Sequence, residues 1–189
     1  MFIQTETTPN PATLKFLPGK VVLDFGTADF RDPADAAAKS PLAARLFEVD
    51  GVEGVFFGYD FVTITKSDTL DWAHMKPAVL AEIMEHFTSG APVMAEGSDH
   101  ESADDDEEFF ETADEAIVTT IKELIEMRVR PAVAQDGGDI TFRGYRDGVV
   151  FLHMKGACAG CPSSTATLKH GIQNLLKHFI PEVQQVEAI

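Results

Sequence analysis

The two cysteines of this chain, its only ones, stand three residues apart in Cys158-Ala159-Gly160-Cys161, between an apolar strand pattern and an amphipathic helix pattern. Thiols at this spacing can bind metal or cycle between dithiol and disulfide. Two thiolates alone do not complete a four-ligand metal site. With no third cysteine in the chain, a cysteine-only site has to be shared between two copies. The pair therefore signals a site built at a subunit interface, or else a redox dithiol.

The neighbours of the pair favour thiolate chemistry. Ala159 and Gly160 are small, so backbone amides can approach the sulfurs. Pro162 suits the first turn of a helix, and Ser163, Ser164 and Thr165 are expected to cap its free amides. The positive end of that helix then faces Cys158 and Cys161, lowering thiol pKa and favouring a metal–thiolate complex. Dithiol exchange of the thioredoxin type also places its pair between strand and helix. It lacks here the strands that would follow and a later X-Pro strand start, since Pro181 ends a helix. For zinc, His153, His170 or His178 could add ligands, but none has finger spacing to the cysteines. Four thiolates across a dimer suit tetrahedral zinc or an iron–sulfur cluster.

The elements that must position this pair read as an α+β chain of two small domains. In residues 1–95, Phe2–Thr7 and Thr13–Leu17 alternate as strands, and Pro18-Gly19 turns the chain. Val21–Phe25 reads as a further strand. Pro41 opens a short helix over Leu42–Phe47. Val52–Tyr59 and Phe61–Thr65 read as a hairpin, and Trp72–Thr88 as a helix with Val79, Leu80, Ile83, Met84 and Phe87 on one face. His74 and His86 on that helix read as surface or packed imidazoles. Residues 112–189 read as α-β-β-α-β. A capping box, Thr112-Ala-Asp-Glu115, opens a helix that Pro131 is expected to end. Asp136-Gly137-Gly138-Asp139 is a tight turn, and Ile140–Phe142 and Val149–Met154 form a hairpin through Asp147-Gly148. Ser163–Phe179 is helical, and Val183–Val186 supplies a last edge strand.

Charge marks the boundary. The net charge is −16, and residues 96–111 hold nine acids with no Lys or Arg. Such a run repels itself and reads as an extended linker. The acidity argues against nucleic acid and against an anionic membrane surface as partners. Met1-Phe2-Ile3-Gln4-Thr5-Glu6 shows no positively charged n-region and no apolar h-region. A single cysteine pair also suits a reducing compartment, so the expected location is cytoplasmic.

Two stretches resemble a known family. Gly156-Ala-Cys-Ala-Gly-Cys-Pro-Ser-Ser-Thr165, with the upstream Arg130-Pro-Ala-Val-Ala-Gln-Asp-Gly-Gly-Asp-Ile140, is similar to the C-terminal domain of NifU-like (Nfu) proteins. Phe2-Ile-Gln-Thr-Glu-Thr-Thr-Pro-Asn-Pro-Ala-Thr-Leu-Lys-Phe16 resembles the Nfu N-terminal domain. The resemblance implies an iron–sulfur scaffold or carrier rather than an enzyme. It implies that two chains bind one [4Fe-4S] cluster between them through Cys158 and Cys161 of each, with a [2Fe-2S] form as a further possibility. Implied partners are a second copy when cluster-bound, upstream iron–sulfur assembly proteins, and apo client proteins recognised through residues 1–95.

Overall fold

The computed structural model describes residues 1–98 and 107–189. The acidic core of the expected linker, 99–106, lies outside the described residues. The chain separates into two compact units, Met1–Ser102 and Ala103–Ile189.

The N-terminal unit is a five-stranded antiparallel sheet carrying helices on one face. Its strands are β1 (Gln4–Thr7), β2 (Thr13–Leu17), β3 (Ala28–Phe30), β4 (Val52–Phe57) and β5 (Val62–Lys66), in the order β1-β2-β5-β4-β3. Leu14, Phe16, Val55, Phe57, Val62 and Ile64 share one face because strand side chains alternate. They pack against Leu42, Ala43 and Leu46 of α2 (Pro41–Phe47) and Val79 and Ile83 of α3 (Trp72–Ser89). Gly90, at φ 73°, ends α3 in the left-handed conformation.

Two local readings of this unit differ from the sequence expectation. Val21–Phe25 forms no strand. The amides of Val22 and Leu23 instead converge on the Tyr59 carbonyl at 2.7 and 3.3 Å, and the outer edge of β4 is taken by β3. A helix that the sequence reading passed over, α1 (Pro33–Lys39), precedes α2. Asp32 caps it, accepting from the Ala34 amide at 2.8 Å, and Pro33 opens it.

His86 proves to be a core residue. It is fully buried, whereas Met84, expected on the apolar face, is 43% exposed. Burial pushes its pKa below the ordinary value, and the Arg45 charge adds to that, while the Pro92 and Ala91 carbonyls oppose it weakly.

The C-terminal unit places its helices on one face of a three-stranded sheet, β6 (Gly138–Arg146), β7 (Val149–Gly156) and β8 (Gln185–Ala188), ordered β6-β7-β8. β6 and β7 are antiparallel, joined through Asp147 (φ 51°) and Gly148 (φ 79°), the positive pair a two-residue hairpin turn requires. β8 runs parallel to β7, reached through the crossover helix α6 (Pro162–Phe179). Ile172 and Leu176 of α6 join Ile140, Phe142, Val150, Leu152 and Val186 in the core.

The first helix of this unit departs from expectation at both ends. Thr112–Asp114 forms a 3₁₀ turn without a side-chain cap, and α4 spans Glu115–Leu124. Pro131 does not stop the run. A π turn over Ile125–Val129 leads into α5 (Arg130–Gln135), and the Arg130 amide reaches back to the Ile125 carbonyl. The wider turn absorbs the proline, whose ring would otherwise meet the carbonyl four residues back. It also keeps Ile121, Ile125, Val129 and Val133 all in the core. Phe109, near the end of the expected linker, is bound to this unit. Its amide donates to Arg143 and its carbonyl accepts from Tyr145, at 3.0 and 2.9 Å.

The buried His86 generates a pH prediction. A depressed folded pKa means the unfolded chain binds the proton more readily, so stability falls as pH drops below the ordinary histidine value of about 6.5. Urea unfolding at stepped pH should show wild type losing more stability than His86→Leu below that point. The difference should be at most about 1.4 kcal/mol per pH unit, the limit for one proton. Equal slopes for the two proteins would refute it.

Candidate functional site

The cysteine loop joins the end of β7 to the start of α6. Gly156 (φ 64°) and Gly160 (φ 83°) take positive backbone angles on either side of Cys158. The Ala157 amide bonds the Gly137 carbonyl at 3.1 Å, and the Ala159 amide bonds Gly156 at 3.2 Å. Cys161 is the N-cap residue of α6, with Pro162 behind it. Thr165 holds both cysteines by their backbones. Its amide donates to the Cys161 carbonyl and its hydroxyl to the Cys158 carbonyl, each at 2.9 Å.

The two thiols have opposite surroundings. Cys161 is partly exposed, and the Ser163 and Ser164 hydroxyls each lie 3.4 Å from its sulfur. Those hydroxyls, followed by backbone amides of the same residues, bring its pKa down to about 7. Cys158 is 6% exposed and packs into the core of the unit. Burial, and then the charges of Asp136 and Asp139, push its thiol up to about 12. The serines expected to cap the helix thus serve the Cys161 sulfur instead, since Cys161 itself occupies the cap position.

The Asp136-Gly137-Gly138-Asp139 segment belongs to the site as well as forming a turn. Gly137 takes φ 82°, as a turn needs, but Gly138 already lies in β6, paired with Gly156. A Cβ on Gly138 would stand 2.6 Å from the Cys158 sulfur and 2.7 Å from the Lys155 carbonyl. The absence of that side chain is what lets Cys158 close over β6. The next residue is anchored. Arg130 makes a two-pronged ion pair with Asp139, both contacts 2.9 Å, and also pairs with Glu126 at 2.7 Å. Asp139 further accepts from the Ile140 amide. Adjacent glycines read as a turn; the contact to a cysteine twenty residues downstream could only be seen once β6 and β7 were paired.

The histidines do not join the cysteines. His153 accepts from Arg143 through Nδ1 at 3.0 Å, and His170 and His178 are exposed on α6. Among the described residues no three His, Cys, Asp or Glu side chains come together as a metal-binding group. Among the described residues, the thiol donors are Cys158 and Cys161. This pair is soft, adjacent and incomplete, which fits a thiophilic metal centre shared with further thiolates.

Comparison with known proteins agrees with this division. Residues 3–90 match the family described as scaffold protein Nfu/NifU N terminal, and residues 121–187 match the NifU-like domain. The human protein named NFU1 iron-sulfur cluster scaffold homolog, mitochondrial, is 50% identical over all of this chain, which covers 72% of its length. The Drosophila erecta protein of the same name is 52% identical, again over the whole chain and 65% of its own length. Among solved structures, a NifU-like protein from Saccharomyces cerevisiae aligns over 51% of this chain and 86% of its own, with 27% identity and a TM-score of 0.46.

These names overturn the cytoplasmic expectation, since the relatives are called mitochondrial. That expectation leaned on the first residues of this chain. The relatives extend beyond the aligned length, so those residues say nothing about a leader.

Two measurements check the site. Gly138→Ala should cost about 1–3 kcal/mol by overpacking, because one contact is backbone. Gly171→Ala in the open face of α6 should stabilise by about 0.5–1 kcal/mol. Alkylation with iodoacetamide at neutral pH, followed by peptide mass spectrometry, should label Cys161 at least about a hundredfold faster than Cys158. Equal labelling would show that the two environments are not distinct.

Proposed function

Since the chain belongs to the NifU-like (Nfu) scaffold family, we propose that it is an iron–sulfur cluster scaffold and carrier, with Cys158 and Cys161 as its cluster ligands. The observation that carries this reading is the incomplete soft donor set at the head of α6. Two copies supply four thiolates, the number that a [4Fe-4S] cubane takes. The cluster is cargo, received from upstream assembly proteins and passed to apo client proteins. A [2Fe-2S] form would use the same four sulfurs.

Each side chain has a part. Cys161, partly exposed and of lowered pKa, is the thiolate ready to meet an incoming iron atom. Cys158 starts as a protected thiol and gives up its proton on ligation, so loading releases protons. Gly160, with nothing within 4 Å of the place a Cβ would fill, leaves the loop open to a client's competing thiolate. Residues 1–95 act as the client-recognition domain, 96–111 as the linker and 112–189 as the cluster domain. A mitochondrial setting, like that of the named relatives, belongs to the same proposal.

A second reading, dithiol–disulfide exchange, draws on the same asymmetry, with Cys161 as attacking thiolate and Cys158 as its buried partner. One experiment separates the two. After anaerobic reconstitution with iron and sulfide, the scaffold reading expects about four irons and four sulfides per dimer, a dimeric mass, and loss of both in Cys158→Ala and Cys161→Ala chains that stay folded. A monomer that takes up no iron yet reduces disulfides would replace scaffold with oxidoreductase.

A further inference from the structure

A groove in the N-terminal unit, remote in sequence from the cysteines, has no part in the chemistry above. It lies where the turn after α2 faces the first half of α3. Val49, Leu70, Met75 and Ala78 line it together with Glu48, Asp50, His74 and Glu82, around about 590 Å³. Gly51 shapes its floor. At φ 89° and with the place of a Cβ only 2.5 Å from Leu70, this residue has to be glycine for Leu70 and Met75 to close beneath the turn. On α3, His74, Ala78 and Glu82 follow at four-residue spacing, so one stripe of the helix forms one wall.

The charges of that wall are unevenly satisfied. Glu82 is paired with Arg45 at 3.3 Å, and Arg45 also reaches Glu85 at 3.6 Å. Glu48 and Asp50, both exposed, have no ion-pair partner among the described residues. An apolar floor beneath two free carboxylates matches one kind of side chain in particular. A Lys or Arg can lay its aliphatic stem along Val49, Leu70 and Ala78 while its charged head reaches Glu48 and Asp50.

We infer that this groove docks a basic segment of a protein partner, in which a Lys or Arg flanked by apolar residues enters between Glu48 and Asp50. Alternatives fit the same walls less well. The carboxylates and His74 do not converge as a metal-binding group. A second copy seated symmetrically would set acid against acid. The docking does not depend on what the cysteines carry, and a partner bound here can be engaged with or without cargo.

The test uses the whole apo chain, labelled at its methyl groups and titrated by NMR with a synthetic peptide of alternating Leu and Lys. The expected result is saturable shifts at Val49, Leu70, Met75 and Ala78. Glu48→Gln combined with Asp50→Asn should weaken that binding about fivefold, as two exposed ion pairs would. Ala78→Lys, a substitution a helix accepts, should abolish the shifts at the other three methyls. Three results would overturn the inference: peptide contacts confined to the acidic stretch 96–111, equal shifts with a Leu-Glu peptide, or zinc chloride moving the His74 resonances while the Leu-Lys peptide leaves the methyls unmoved. Iron and sulfide counts do not enter this readout, so its failure would leave the scaffold reading standing.

Discussion

The cysteine loop depends on a missing side chain. β6 and β7 pair so that Gly138 stands opposite Gly156, and the Cys158 sulfur folds back onto the space a Cβ at 138 would occupy. Everything else in the loop follows from that contact. With Cys158 held inside the unit, the chain has to turn outward through Gly160 before α6 can begin, which sets Cys161 at the helix cap. The Arg130–Asp139 pair holds the next residue of β6 from the other side, tying the strand to α5. The π turn that precedes α5 is thus part of the same arrangement, since it carries the helical run from α4 on to Arg130 without Pro131 breaking it.

This packing explains why two cysteines three residues apart have such different acidities. Small residues flank Cys158 on both sides, while Cys161 is followed by Pro162 and the Ser163 and Ser164 hydroxyls. Burial and two nearby carboxylates disfavour charge on Cys158, while hydroxyls and amides at the helix start favour it on Cys161. The helix terminus acts strongly only where the sulfur caps it, because its influence fades within a turn. A loop of this kind keeps one thiol ready to ionise and the other protected, which is the state that metal ligation would have to overcome in the proposed role.

Much of this was legible in the sequence. The strand–loop–helix setting of Cys158 and Cys161, the α+β class, the Asp147-Gly148 hairpin and the crossover helix all follow from local patterns, and all are present. The readings that differed share a cause: each needed knowledge of a partner distant in the chain. Val21–Phe25 has strand composition, but β3 takes the edge of β4 and the Val22 and Leu23 amides turn to the Tyr59 carbonyl instead. Pro131 is a helix breaker in isolation but is accommodated by a turn whose reward is core packing of Val129 and Val133. His86 follows Val79 and Ile83 at helical spacing and so shares their inward face, but its polar type left a surface position equally open. Gly138, read as part of a turn, is the first residue of β6, and its most demanding contact is to a sulfur brought there by β7. The helix α1 is a different case. Asp32-Pro33 was a sufficient local signal and was passed over.

Incompleteness is the property that ties the site to its use. A closed set of four ligands within one chain would hold a metal centre permanently, since a rigid cage offers no sulfur to give up and no opening for a competitor. Here a single chain brings two thiols, one of them already at the surface, on a loop whose outermost residue has no side chain. On the proposed scaffold reading, binding through such a half-site would be cooperative between copies, and release would begin at the exposed Cys161 sulfur. The fold supports this by keeping its stability elsewhere. The unit's core is built from α4, α5, α6 and the three strands, to which Cys158 adds one small buried side chain. On that reading, loading and unloading need not be coupled to folding, in contrast to small domains whose metal is their core.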